Sequence, residues 1–141
     1  MKKIGNNFSF IDFGPFEKMD QYSFKHPKLT EEVAGKQFLK EELGLTSMEV
    51  SLNKFPAGTS MPFSHKHRDN EELYLFLKGK GEFCVDGDWF EVQEGSAIKV
   101  APNGVRTWRS SSSEELLFIV IQAKAGSLER GSIQDGIPVK P

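Results

Sequence analysis

Short apolar runs and alternating segments fill the middle of the chain, and they predict strands rather than helices. Residues 48–55 alternate between apolar and polar positions, which is typical of a strand with two different faces. The two faces carry Met48, Val50 and Leu52 against Glu49, Ser51 and Asn53. The default interpretation is that the polar face meets solvent, although Asn53 is also a candidate for a ligand pocket.

Strands of similar length recur along the chain. They are predicted at residues 37–41, 73–77, 81–85, 89–92, 97–100, 105–109 and 116–122. The sequence Asp86-Gly87-Asp88 predicts a tight hairpin turn. No segment indicates a helix of ten or more residues, and residues 36–43 are the ambiguous case because their apolar positions also fit one helical face.

Many short strands between Gly, Pro and Asn turns predict an all-β sandwich or barrel. Residues 37–125 form the predicted barrel, and residues 1–36 form an N-terminal arm whose scattered aromatic side chains argue against disorder. Residues 126–141 are a polar tail that we expect to pack on the barrel or on a partner, with a short strand predicted at residues 137–139.

Composition excludes several classes of function. The 141 residues carry a net charge of −2, so no overall positive field favours nucleic acid or an anionic membrane. No apolar run is long enough to span a membrane, and the first residues lack the apolar core of a signal peptide. Cys84 is the one cysteine, so a reducing, cytoplasmic location is expected.

Two of the three histidines, His65 and His67, stand one residue apart. In an extended strand both imidazoles point to the same side, and a nearby carboxylate from Glu71 or Glu72 can reach the same place. Two imidazoles and one carboxylate suit Fe, Mn, Ni or Zn. A solvated polar strand face is the alternative interpretation of this segment.

The segment from Gly58 to Gly79 resembles the first conserved motif of the cupin superfamily: a glycine, His-x-His, a glutamate, and a glycine that closes the strand. The resemblance implies that His65, His67 and Glu72 are metal ligands. Glu72 fits better than Glu71 because six residues separate it from Gly79. Six residues rather than five lie between Gly58 and His65, which departs from the family pattern.

A second stretch, from Gly95 to Gly104, looks like the opening half of the second cupin motif. The family places a third metal-binding histidine three residues after its glycine, where this chain has Thr107, or Arg106 if the loop is one residue shorter. An inward Arg106 would oppose a metal and favour an anionic ligand. An inward Thr107 would leave a three-ligand metal site. The third alternative is that Arg106 and Arg109 are outward-facing surface residues.

The resemblance implies a double-stranded β-helix, or jelly roll, holding a divalent metal (Fe, Mn, Ni or Zn) that binds or transforms a small molecule. Dioxygenase, isomerase and decarboxylase chemistry all occur on this scaffold, and small cupins often form homodimers. The alternative is a metal-free cupin that binds a small anion or acts as a structural, dimerising protein. The candidate pocket residues are Arg106, Thr107, Asn53, Tyr74 and Glu71.

Overall fold

The computed structural model describes residues 2–27 and 30–141, so Met1, Lys28 and Leu29 of the predicted arm lie outside the described residues. The strands are β1 (Lys2–Ile4), β2 (Ser9–Ile11), β3 (Ser23–Phe24), β4 (Val33–Ala34), β5 (Lys36–Phe38), β6 (Glu49–Phe55), β7 (Asn70–Lys78), β8 (Lys80–Val85), β9 (Asp88–Gln93), β10 (Ala97–Val100), β11 (Arg106–Ser110) and β12 (Leu116–Lys124). The helical elements are α1 (Lys40–Leu43) and 3-10 turns at Phe16–Gln21 and Ser132–Asp135.

Two antiparallel sheets form the body of the protein. The larger has five strands in the order β10-β7-β12-β6-β5, and the smaller has three in the order β11-β8-β9. Single bridges from Ser60 to Arg109 and from His65 to Arg106 lay the segment before β7 alongside β11, which widens the smaller sheet. β1 pairs with β2, and β3 pairs with β4, as separate two-stranded ribbons in the arm.

The core lies between the two sheets and is largely aromatic. Trp108 and Phe83, from the smaller sheet, stack with ring centroids 5.9 Å apart and an interplanar angle of 5°. Phe76 and Phe118, from the larger sheet, stack at 5.1 Å. Because both sheets bury one face against the other, the prediction of an all-β jelly roll is confirmed.

Two turns depend on backbone conformations that glycine permits. Gly79, between β7 and β8, has φ +95°, and a Cβ atom there would collide with the backbone carbonyl oxygen of Glu115. Asp86 and Gly87 both have positive φ between the paired residues Val85 and Asp88. This is the geometry of a two-residue hairpin turn, so the predicted hairpin is confirmed.

Two predicted strands differ from the structure, one in its extent and one in being absent from the described residues. The strand expected at residues 37–41 runs instead over Lys36–Phe38, and the chain then turns into α1, which ends at Gly44 with φ +70°. Residues 137–139 form no strand, and the side chains of Ile137 and Val139 stay exposed. Pro138 lacks the N–H group that a ladder requires, and this segment pairs with no sheet edge among the described residues.

The polar side of β6 faces inward, contrary to the default expectation. Ser51 and Asn53 are each 4 % exposed, whereas Val50 and Leu52 on the other side are half-buried. The amide of Asn53 donates to the carbonyl oxygen and to Oγ of Ser51, at 3.0 Å each. Because these groups satisfy one another, they can be buried without a large desolvation penalty.

Candidate metal centre and cavity

Strand β7 supplies the carboxylate of the site. Its side chains alternate in burial, with Glu72, Tyr74 and Phe76 on the inner face. Glu71 is half-buried and points to the opposite face of the strand, so it does not join the group around Glu72. Glu72 is 4 % exposed, which is costly for a carboxylate unless it is paired.

The histidines reach Glu72 from the segment that precedes β7. His65 is fixed by two backbone hydrogen bonds with Arg106, at 3.0 and 2.9 Å. The amide of His67 donates to the carbonyl oxygen of Pro102 at 3.0 Å. These bonds hold both imidazoles on the same side of an extended segment, with ring centroids 5.3 Å apart.

One nitrogen of each histidine approaches the carboxylate. His65 Nε2 lies 3.6 Å from Glu72 Oε1, and His67 Nε2 lies 3.3 Å from Glu72 Oε2. Candidate ligand atoms on the three residues all lie within 4.8 Å of one another. Ligands that lie about 2.1 Å from one ion are roughly 3.0–3.5 Å apart at octahedral or tetrahedral angles. The distance from His67 to Glu72 falls in that range and the distance from His65 lies just above it, so the three residues form a group that could hold a divalent metal.

The nitrogen of His67 that faces Glu72 supports this fit. His67 Nε2 is buried and makes no hydrogen bond of acceptable geometry within the described part of the chain. Burial lowers the pKa of His67, and the nearby Glu72 carboxylate opposes that shift only in part. A neutral imidazole with an unpaired buried nitrogen is the form that binds metal.

The two oxygens of Glu72 have different surroundings. Oε1 accepts hydrogen bonds from the Tyr74 hydroxyl at 2.6 Å and from Arg106 Nη1 at 2.8 Å, whereas Oε2 faces His67. Burial alone would raise the pKa of Glu72, but contacts with His65, Tyr74 and His67 hold it at about 2. Burial and Glu72 raise the pKa of Tyr74, so its hydroxyl remains a donor.

Arg106 is fully buried behind Glu72, which agrees with the alternative of an inward-facing Arg106 and not with the outward-facing one. Its Nη2 donates to the backbone carbonyl oxygen of Ala101 at 2.8 Å, and its Nε has no hydrogen-bond partner among the described residues. Thr107 lies on the other face of β11, where its hydroxyl donates to the carbonyl oxygen of Phe63 at 3.3 Å. Of the two candidates for the position of the missing histidine, Arg106 is the one beside the carboxylate.

The histidines open onto a cavity of about 380 Å³. His65, His67, Glu72 and Tyr74 line one side of it. Its remaining wall is largely apolar and includes the aromatic rings of Phe24, Phe38, Phe63 and Trp108, beside polar side chains such as Ser51 and Gln122. Arg106 does not line this cavity, because Glu72 stands in front of its guanidinium group. A volume of this size is that of a small-molecule site.

Lys36 is a cavity residue that the sequence did not indicate. It stands opposite Asn53 in the pairing of β5 with β6, and its Nζ donates to Asn53 Oδ1 at 2.9 Å. Burial lowers the pKa of Lys36 to about 8, against the opposing effect of Glu72 and Glu49. Lys36 is the last residue of the predicted arm, and no sequence motif marks it as a cavity residue. It faces inward because β5 pairs with β6.

A wider depression of about 540 Å³ lies next to α1 and also borders Lys36. Its rim carries the carboxylates of Glu41, Glu42 and Glu49, and it contains no histidine. We therefore assign the candidate site to the smaller cavity, where the histidines and Glu72 meet.

Comparisons with known proteins agree with this architecture. The model of the Cupin domain family matches residues 51–122. A cupin protein from Bacteroides fragilis has a solved structure with 38% sequence identity and a TM-score of 0.73. That similarity covers 84% of this chain and 98% of the other.

A more distant solved structure shares the fold alone. The structure of a predicted oxalate decarboxylase from Thermotoga maritima matches at 23% identity and a TM-score of 0.57, covering 67% of this chain and 82% of the other. An uncharacterised protein of Methanocaldococcus jannaschii is 40% identical over 47 residues, which is 33% of this chain and only 37% of that protein.

Within the described residues, no helix has the length and apolar character required to cross a membrane.

Proposed function

This chain belongs to the cupin family, and we propose that its barrel cavity holds one divalent metal ion (Fe, Mn, Ni or Zn) and binds or transforms a small molecule there. His65, His67 and Glu72 would be the protein ligands. The observation that carries the proposal is the convergence of two histidine Nε2 atoms on Glu72, at 3.6 and 3.3 Å, at the wall of a cavity. A bound metal would supply Lewis-acid activation of a ligand in that cavity.

The residues around Glu72 would orient it for this role. Tyr74 and Arg106 both donate to Oε1, which fixes the carboxylate plane and leaves Oε2 directed at His67. Such hydrogen bonds to a ligating carboxylate are a usual feature of metal sites. Arg106 also adds a positive charge beside the metal position, and that charge weakens cation binding compared with a third neutral histidine.

The same contact between Arg106 and Glu72 favours a second candidate function, a metal-free cupin that binds a small anion. The Arg106 guanidinium already compensates the Glu72 charge at 2.8 Å, so the carboxylate does not require a metal for neutralisation. In this case the histidines would act as hydrogen-bonding groups of the cavity wall. Metal content decides between the two functions.

The test is elemental analysis of protein purified without an affinity tag, before and after incubation with Fe(II), Mn(II), Ni(II) or Zn(II). The expected result is about one equivalent of one metal per chain. The double variant His65→Ala/His67→Ala should lose it while keeping the strand signal in circular dichroism. His26→Ala is the matched control because His26 borders the same cavity but lies outside the ligand group, and it should keep the metal.

Wild-type protein with less than about a tenth of an equivalent of every metal would overturn the metal proposal and leave the anion-binding function. Full metal retention in the double variant would show that the ion is bound elsewhere. If the metal is retained at the site, screens for dioxygenase, isomerase and decarboxylase activity with that metal follow, because the cupin scaffold hosts these reactions.

We also propose a homodimer. The aromatic side chains of Phe8 and Phe10 in the arm, and of Trp89 and Phe90 in β9, are between 40 and 53 % exposed in the single chain. Exposed aromatic clusters are typical of surfaces between protein chains. Light scattering coupled to size-exclusion chromatography should give twice the mass of the chain, and a monomeric mass at micromolar concentration would contradict it.

A further inference from the structure

The cavity contains a cationic side chain that lacks an ionic partner. Lys36 Nζ has one hydrogen-bond acceptor among the described residues, Asn53 Oδ1, and no carboxylate of those residues lies within the 4.0 Å of an ion pair. An ammonium group has three donors, so two are left for other partners. Nζ also lies 5.2 Å from the centroid of the Phe38 ring.

The pairing of the strands explains why this cation faces the cavity. Lys36 is opposite Asn53, Asn53 is opposite Phe118, and all three lie on the inner side of the larger sheet. Phe38, two residues further along the same strand, lines the same cavity. Lys36 therefore faces the interior because β5 and β12 both pair with β6 in the register that places Lys36 and Phe118 opposite Asn53.

We propose that Lys36 anchors the carboxylate of a small ligand whose flat, apolar body lies against the aromatic wall of the cavity. This inference deepens the proposed function, since it names the ligand class of the same cavity and rests on that cavity being a ligand site. It assigns to Lys36 the anion-binding role that one of the sequence-based alternatives assigned to Arg106.

Three observations carry the assignment. Arg106 cannot meet a ligand in the cavity, because its Nη1 and Nη2 groups are bonded to Glu72 and Ala101 and it does not line the wall. Lys36 lines the cavity together with a second, exposed lysine, Lys66, so the accessible charge there is positive apart from that of Glu72. Glu72 is already compensated by Arg106.

The aromatic wall determines the body of the ligand. Phe24, Phe38, Phe63 and Trp108 contribute to a cavity of about 380 Å³, which is the lower end of the range for small-molecule sites. Aromatic side chains bind flat rings by stacked or edge-to-face contact. The Trp108 indole N–H is buried and has no acceptor among the described residues, which also favours a ligand that carries oxygen acceptors.

The test is a fluorine NMR titration with para-fluorobenzoate, with para-fluorobenzamide as the neutral analogue. Wild-type protein should bind the benzoate at least about tenfold more tightly than the benzamide, because only the benzoate forms a charge-assisted hydrogen bond with the lysine. Lys36→Met should lose that preference and weaken benzoate binding by about tenfold or more. Lys36→Gln keeps a donor for Asn53 and should lose the same preference, so it replaces Lys36→Met if that variant does not fold.

Two matched variants separate the anchor from general charge. Lys66→Met removes the other cavity lysine, which is exposed, and Lys99→Met removes an exposed lysine of β10 that does not line the cavity. Each should change benzoate affinity by less than about twofold, because an exposed charge is screened by water and salt. Lys36→Arg should retain the preference for the charged ligand.

Any of three results would overturn the inference. Wild-type and Lys36→Met protein could bind benzoate equally, or all three methionine variants could weaken binding equally. The third is that wild-type protein does not bind benzoate at millimolar concentration. The titrations are repeated on His65→Ala/His67→Ala. Lys36-dependent benzoate binding should persist in that variant. Wild-type protein that takes up no metal but shows Lys36-dependent benzoate binding would overturn the metal proposal alone. Metal retained in wild-type protein with binding indifferent to Lys36 would overturn this inference alone.

Discussion

Replacing Arg106 by methionine tests whether the buried contact with Glu72 organises the interior. Arg106 is 0% exposed, and the change removes its bonds to Glu72 Oε1 and to the Ala101 carbonyl oxygen, both 2.8 Å long. The Glu72 carboxylate, 4 % exposed, then keeps the Tyr74 hydroxyl as its hydrogen-bond donor at 2.6 Å. Removing one partner of a buried ion pair costs about 3–5 kcal/mol, since the remaining charge stays desolvated.

For a chain of 141 residues this loss corresponds to a fall in Tm of about 10–15 °C. The assay is urea unfolding followed by circular dichroism on metal-free protein, with thermal unfolding as the second measurement. Arg109→Met is the matched control on the same strand. Its guanidinium contacts Glu82 at 2.9 Å and lies 4.1 Å from the centroid of the Trp89 ring. Because the Arg109 and Glu82 side chains are 44% and 43% exposed, the expected cost is about 1 kcal/mol.

A double-mutant cycle separates the charge effect from lost packing. Glu72→Gln alone leaves the buried Arg106 charge without its partner, whereas Glu72→Gln with Arg106→Met leaves no buried charge in the pair. The double variant should therefore be more stable than the sum of the single changes implies, by about 1–3 kcal/mol. Additive costs, or a cost of Arg106→Met no larger than that of Arg109→Met, would contradict the stabilising role of the buried contact between Arg106 and Glu72.

Further predictions concern Lys36 and Gly79. The folded-state pKa of Lys36, about 8, is below its ordinary value of 10.5, so between these pH values the unfolded chain binds more protons than the folded one, and the stability of the folded protein rises with pH. Urea unfolding at several pH values should show this rise in wild-type protein relative to Lys36→Met. A stability difference between the two proteins that does not change with pH would contradict it. Benzoate affinity should fall as pH rises from about 7 to about 9, because the anchoring ammonium loses its proton, and Lys36→Met should show no such fall. Gly79→Ala should cost more stability than Gly87→Ala, since both have positive φ but only Gly79 would meet a backbone carbonyl; equal unfolding midpoints would count against the packing argument.

The sequence predicted the barrel strands well because each carries its own signal. The run of residues 73–77 and the alternation of residues 48–55 correspond to β7 and β6, and Asp86 with Gly87 encodes the hairpin turn by allowing positive φ. Strand type follows from local pattern, so no tertiary information was required.

Which side of a strand faces inward was harder to predict. On β6 the apolar side was the expected core side, yet Asn53 and Ser51 are buried because they hydrogen-bond to each other and Asn53 accepts from Lys36. That network forms only after β5 and β6 have paired. Lys36 reaches the cavity only because of this strand register, and no sequence motif marks the position in advance.

The proximity of His65, His67 and Glu72 was predictable, since spacing and a family motif both indicate it. Spacing could not decide which residue occupies the position of the missing histidine. A difference of one residue in loop length decides whether Arg106 or Thr107 is on the inner face of β11. The bridge between His65 and Arg106 sets that phase in the folded protein. The phase therefore depends on a pairing between distant segments.

Strand β5 lies at one edge of the larger sheet and, within the described residues, pairs with β6 alone. Its three paired residues are few compared with the seven pairs between β6 and β12, so its amide protons should exchange with solvent through local opening well before the rest of the barrel unfolds. Lys36 moves with this strand. The residence time of a bound carboxylate would then follow the opening rate of the sheet edge, and a ligand would slow amide exchange in β5 more than in any strand of the smaller sheet.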